Sequence, residues 1–187
     1  DVMLNIPGWT DAEIRSTAIL LLLAGYDTTA KLMSNCLQAL EQHPDQRGLL
    51  VGDPSLIPGA IEEVLRWVGA TQAVVRQVRQ DTLLADTRLE AGDIVYTLLI
   101  AANRDPSRWS DPHLFDIRRE VKPNLAFGTG PHVCLGAPLA RLETKLAVEA
   151  LLRIAPEYHL RDIDYGNAFF ARGAEHGVIE RKAPSAP

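Results

Sequence analysis

Cysteine is scarce in this 187-residue sequence, which has only Cys36 and Cys134. Two cysteines in a chain of this length build no disulfide framework, so a reducing cytoplasm is the expected compartment. Runs of positive charge are equally short, none longer than Arg118-Arg119 or Arg181-Lys182, and the formal net charge is -5. Nucleic-acid binders carry a basic patch or stripe. With neither in sight, nucleic acid is not an expected partner. The longest apolar run, residues 18–25, falls well short of the about 20 residues a membrane-spanning helix requires. No signal-peptide pattern, internal repeat or low-complexity tract is visible.

What is present is the balance of an ordinary globular protein: 47% hydrophobic and 23% charged residues. A single domain is expected over residues 1–182, with 183–187 as a disordered tail. Thr10-Asp11-Ala12-Glu13 has capping-box spacing and predicts a helix running to about Gln42, where His43-Pro44 stops it. Its stretch 18–25 is apolar all round, which predicts burial on most faces, with the rest of this chain supplying about half of the cover. Further helices are predicted from Pro44 or Asp45 to just before Gly52, over 59–68, and from Ala137 to about Ile154. Pro138 fits the first turn of the last one. Short β-branched runs at 73–78, 82–84 and 94–96, with turn signals at Ala85-Asp86 and Ala91-Gly92-Asp93, predict a small mixed sheet. Residues 103–122 read as irregular coil, and 158–180 as a few short strands with a hairpin. The fold class is mainly α with small β-sheets.

The chemistry concentrates in Phe127-Gly128-Thr129-Gly130-Pro131-His132-Val133-Cys134-Leu135-Gly136, which runs straight into a helix. Two closely spaced glycines permit positive φ and close approach of backbone to a ligand. The cysteine precedes a helix N-terminus, whose partial positive charge and free N–H groups favour a thiolate, the form that ligates a metal. For an arbitrary cysteine the plainer reading is a buried structural thiol, and Cys36, on the apolar helix, fits that reading. His43, His113, His159 and His176 form no metal-ligand spacing.

Phe127, Gly128, Gly130, His132, Cys134 and Gly136 give this segment its form, which resembles the cysteine-ligand loop of cytochromes P-450. From about Thr10 to Arg181 the chain resembles the C-terminal half of that fold, of the soluble bacterial type. The resemblance implies haem b (iron protoporphyrin IX) as cofactor and Cys134 as the thiolate ligand of its iron. It implies that His132 contacts a haem propionate and that Phe127, Gly128 and Gly136 shape the loop against the cofactor.

The same resemblance assigns other residues. Ala24-Gly25-Tyr26-Asp27-Thr28-Thr29 is similar to the family's distal oxygen-activation motif. Ala24 and Gly25 would then lie beside the haem, and Asp27 and Thr28 would relay protons. Independently of any family, a mid-helix Ser or Thr can bond back to the i−4 carbonyl and bend the helix. Glu63 and Arg66 share a helix face at i, i+3; taken alone such a pair is a surface ion pair. In the family it is structural and joined by a coil arginine, here Arg119. Arg76, five residues before Asp81, matches a propionate-binding arginine, with Arg79 as the rival. Ala73, Val74, Val75, Phe169 and Phe170 match positions lining the substrate pocket, and each could equally be plain core.

The activity so implied is a haem-thiolate monooxygenase, oxidising and typically hydroxylating a small organic substrate with O2. Electrons would come from a ferredoxin-type donor. The alternative is a non-catalytic haem-binding or partner-recruiting domain. A complete family member has a further N-terminal half before the long helix, which is therefore an expected partner of this chain.

Overall fold

The computed structural model describes residues 7–181. Helix α1 (Asp11–Gln42) comes first, then α2 (Pro44–Gly52), a 3-10 turn (Pro54–Leu56) and α3 (Ile57–Val68). Strands β1 (Ala73–Gln77), β2 (Thr82–Leu84), β3 (Thr87–Leu89) and β4 (Ile94–Leu98) lead into the one-turn helix α4 (Leu99–Ala102). A long coil and a 3-10 turn (Gly130–His132) precede α5 (Ala137–Ile154), and strands β5 (Tyr158–Asp164) and β6 (His176–Arg181) follow. The class is mainly helical with small sheets, as expected. The stretch 183–187, expected as a tail, lies outside the described residues.

The start of α1 is fixed by the capping box. The Glu13 N–H donates to Thr10 Oγ1 at 3.3 Å, and the Thr10 N–H donates to the Glu13 carboxylate at 2.8 Å. At the other end Pro44 cannot continue the ladder. The His43 N–H closes the last turn on the Ala39 carbonyl at 3.1 Å. Helix α3 begins at Ile57, two residues earlier than expected, because Pro58 takes a first-turn position where its missing N–H costs nothing.

One expectation is overturned. The apolar stretch 18–25 is not buried: Leu20 is 64% exposed and Leu22 72%. Every buried residue of α1 lies between Thr29 and Leu40. Helices α2, α3 and α5 and strand β5 are the elements that meet α1. They cover only its C-terminal half, and among the described residues nothing buries the N-terminal half.

The sheet reading is corrected as well. In place of one mixed sheet over residues 73–98 there are two separate two-stranded antiparallel pairs, β1–β4 and β2–β3; β5–β6 is a third such pair, in the tail where short strands and a hairpin are expected. The β2–β3 hairpin turns at Ala85, whose φ of 49° is the left-handed conformation tight hairpins need. Its residues are almost all exposed, so it projects from the body and cannot merge with β1–β4. Strand β3 and helix α4 went unforeseen because three and four residues are too few to show a period.

The core forms where α1, α3 and α5 meet, around Leu32, Cys36, Leu40, Ile61, Val64 and Val148. Cys36, 2% exposed, behaves as a small hydrophobe, and burial pushes its thiol up to about 12. Tyr158 is fully buried beneath it all, its hydroxyl donating to the Leu37 carbonyl at 2.6 Å.

The coil from 103 to 122 is irregular, as expected, but it is far from unsupported. Its carbonyls point at two guanidinium groups. Arg66 donates to the carbonyls of Asn103, Pro112 and Leu114, and Arg119 to those of Ser110, Asp111 and Leu114. Buried backbone acceptors need partners, and here side chains supply what a ladder would.

Candidate functional site

Glu63 and Arg66, one turn apart on α3, form a bidentate pair with both N···O distances at 2.7 Å. They are 4% and 1% exposed. Arg119 joins through its Nε, 3.2 Å from Glu63 Oε1, and the Asp116 N–H donates to the same oxygen at 3.0 Å. Each charge is thus both paired and hydrogen-bonded, the condition for a buried ion pair to be tolerated. The Arg66 guanidinium also stacks over Trp109, 5.4 Å from its centroid. The trio makes no contact with the cleft described next; it ties α3 to the coil.

On the other side of α3 the loop carrying Cys134 folds back on itself. Gly128 and Gly130 adopt φ of 70° and 76°, which only glycine takes without strain. The Cys134 N–H donates to the Phe127 carbonyl at 2.9 Å, closing the loop. Gly136 is the N-cap of α5. The thiol is therefore fixed two residues before the N-cap of α5, and it is free and exposed. Arg141, one turn into α5, lies over the Phe127 ring at 4.6 Å and pairs with Glu62, which anchors the loop to α3.

A cleft of about 260 Å³ opens at this thiol. Cys134, His132, Phe127 and Gly128 of the loop line it together with Ala24 and Thr28 of α1. Val74 and Arg76 of β1 and Leu99 close a side. A larger groove of about 670 Å³ lies between α2 and α5, but it contains neither cysteine nor histidine and is remote from this chemistry. Among the described residues no group of three or more His, Cys, Asp or Glu could hold a metal ion. A metal held in the cleft would therefore bring most of its donors with it, and Cys134 would be the residue to add a ligand.

The remaining candidates fall on and off this cleft. Gly25 sits beside Ala24 on α1, and a Cβ added there would meet nothing within 4 Å. Thr28, half-buried, donates its hydroxyl to the Ala24 carbonyl at 2.7 Å, the back-bond anticipated from the sequence. Asp27 does not border the cleft; its carboxylate accepts from Lys31 Nζ at 2.8 Å. Of the two rival arginines, Arg76 borders the cleft and Arg79 does not.

Of the five residues matched to a substrate pocket, Val74 alone borders it. Alternation along β1 explains why: Val74 and Arg76 face the cleft, so Ala73 and Val75 face away. Val75 pairs across the ribbon with Tyr96, whose ring stacks on Phe170 at 5.9 Å. Phe169 then meets Phe170 edge-on at 5.2 Å. These rings form an exposed aromatic cluster on the far face of the ribbon.

Lys31, Tyr96 and Arg141 were missed from the sequence. Lys31 had a signal, an acid four residues before a lysine on one helix, the favoured order for such a pair. Tyr96 and Arg141 had none, because their partners are distant in the chain.

The residues fit a flat, acidic, sulfur-ligated group. The loop offers one free thiol and unencumbered glycines, the walls are largely apolar, and Arg76 and His132 supply cationic or donor groups for carboxylates.

Comparison with known proteins agrees. Residues 55–154 match the family model for cytochrome P450. The biotin biosynthesis cytochrome P450 of Bacillus subtilis (strain 168) is 45% identical over 156 residues, 83% of this chain and 40% of that relative. Cytochrome P450 monooxygenase PikC of Streptomyces venezuelae is 45% identical over 152 residues, 81% of this chain and 36% of its own length. Among solved structures, P450BioI in complex with an acyl carrier protein ligated to hexadec-9Z-enoic acid superimposes with a TM-score of 0.91 at 41% identity. That alignment covers 96% of this chain and 47% of the other. The chain thus spans less than half the length of these relatives. No helix among the described residues is long and apolar enough to cross a membrane. By its loop, its cleft and its relatives, the chain belongs to the cytochrome P450 family.

Proposed function

We propose that this chain is the cofactor-binding part of a haem-thiolate monooxygenase that oxidises a small organic substrate, with haem b as cofactor. The observation that carries the reading is the free, exposed Cys134 just ahead of α5, lining one cleft together with Ala24 and Thr28 of α1. When bound, the haem supplies the reduction of dioxygen and the transfer of one oxygen atom to the substrate.

The residues around it have distinct tasks. Cys134 provides the ligand sulfur, oriented by its backbone bond to Phe127 and placed where helix N–H groups favour negative charge. Arg76 and His132 bind the propionate carboxylates. Ala24 and Gly25 leave room on α1, and Val74 and Leu99 exclude water from one side. Thr28 places a hydroxyl at the cleft, and Asp27, half-exposed on the same turn, passes protons to it from solvent. Glu63, Arg66 and Arg119 are scaffold. Electrons come from a redox partner of ferredoxin type, and the free cysteines suit a reducing cytoplasm.

The test is the absorption spectrum of the dithionite-reduced, haem-loaded protein with and without carbon monoxide. A Soret band red-shifted as thiolate ligation requires, and lost in Cys134→Ala, is expected. A red shift that survives Cys134→Ala, or a folded protein that takes up no haem even when the N-terminal half of the fold is supplied, would refute the reading.

A further inference from the structure

We propose that Lys31 is a positioning residue for Asp27, holding its carboxylate in one place beside Thr28 so that protons reach the cleft by a fixed route. The inference rests on the proton-relay reading of Asp27 given above.

Lys31 is a charged side chain in an uncharged place. It is 6% exposed, on the first turn of α1 that is packed rather than bare. Lysine is almost never buried to this degree without a partner. Among the described residues, Asp27 is the only acceptor for its ammonium, at 2.8 Å. The Asp27 side chain is 50% exposed and borders solvent. One member of the pair is therefore immobilised while the other would be free to swing without it.

What immobilises Lys31 comes from the far end of the chain. Asn35 Nδ2 donates to the Arg172 carbonyl at 3.0 Å, and the Ala174 N–H donates to Ser34 Oγ at 3.0 Å. Ser34 Oγ in turn donates to the Lys31 carbonyl at 2.9 Å. Between these bonds Gly173 presses on the lysine stem. A Cβ built there would lie 2.5 Å from Lys31 Cβ and 2.7 Å from its Cα. The stem is thus clamped along its base, and the ammonium is left one residue to reach, four positions back on its own helix. Asp preceding Lys at i, i+4 is the favourable order for the pair. The carboxylate so held is adjacent in sequence to Thr28, whose hydroxyl is itself locked on Ala24.

A positioning role makes predictions that a merely structural lysine does not. Lys31→Met keeps the stem under Gly173 and removes the charge. Lysine ammonium signals in 15N NMR report the pair directly: Lys31 Nζ–H should be protected in the wild type and lose protection in Asp27→Asn. That measurement uses the exposed partner and does not depend on Lys31→Met folding. The second readout is oxygen uptake by the haem-loaded protein with NADPH, a plant-type ferredoxin and its reductase, in H2O and D2O. Asp27→Asn is expected to lower uptake on the order of 10²-fold. Lys31→Met should lower it about tenfold with a raised solvent isotope effect, and the double variant should be no worse than Asp27→Asn alone.

The outcomes separate the two claims. If Asp27→Asn slows uptake but Lys31→Met does not, or if their effects multiply, the Lys31 assignment falls and the relay reading stands. If Asp27→Asn leaves uptake unchanged, the relay reading falls and takes this inference with it. An Nζ signal indifferent to Asp27→Asn refutes the pair itself.

Discussion

Between Thr29 and Leu40, helix α1 is packed against α3, α5 and β5; over residues 11–26 the same helix leaves most of its side chains in solvent, a run of four leucines among them. The bare half is the more apolar of the two, yet it contributes nothing to the core. Burial follows from having a partner, and hydrophobicity only makes a partner useful. A second contrast sharpens the point. The coil 103–122 has almost no regular structure, yet it buries Trp109, Phe115 and Ile117 and is tied down by a buried carboxylate and two arginines.

The largest expected effect breaks that second region. Arg66→Ala takes the bidentate partner from buried Glu63, leaving it Arg119 alone as a cation, and frees several coil carbonyls, so a loss of about 3–5 kcal/mol is expected in urea unfolding. Next comes the comparison within α1. Leu40→Ala should cost about 2–5 kcal/mol, whereas Leu22→Ala in this chain should stay within about 0.5 kcal/mol. Equal costs by chemical denaturation would mean that the bare half finds cover in solution, and the contrast would vanish. The two thiols give a third test. In folded, haem-free protein at pH 8, iodoacetamide should modify exposed Cys134 and spare Cys36, whose thiol burial pushes up to about 12. Mass mapping of the adducts checks it.

The smallest effect lies at the tip of the bare half. Hydrogen bonds from Thr10 hold the Glu13 carboxyl below its ordinary value of 4.5. A lowered folded value means that the cap helps above the unfolded value and is lost as pH falls through the folded one. The protection of the amides of residues 11–14, taken as the ratio of intrinsic to observed exchange rate, should therefore fall as pH drops below about 4.5, while that of 32–40 stays high.

These contrasts mark what the sequence can and cannot tell. The ends of α1 and α5 were legible because capping residues and prolines act locally. The Cys134 loop was legible because glycine, cysteine and a helix start lie within ten residues. Burial of 18–25 was misjudged because apolar content says nothing about which face meets protein. The single mixed sheet failed because strand pairing is a long-range choice: β1 skips its neighbour and takes β4. Phe169 and Phe170 were assigned to the pocket by position along the chain, while the pleat of the ribbon sends their partner Tyr96 to the other face.

The coil's mode of attachment has a consequence for how its sequence can drift. Arg66 and Arg119 grip main-chain oxygens, which every residue possesses. The side chains of Ser110, Asp111 and Leu114 are exposed and take no part in that grip. Many substitutions at those positions should preserve the path of the coil, whereas the two arginines and Glu63 leave little room for change. Shape is stored in these three residues and in the buried Trp109, Phe115 and Ile117, and only displayed by the exposed ones, so this surface can be rewritten for new partners without unmaking the fold beneath it.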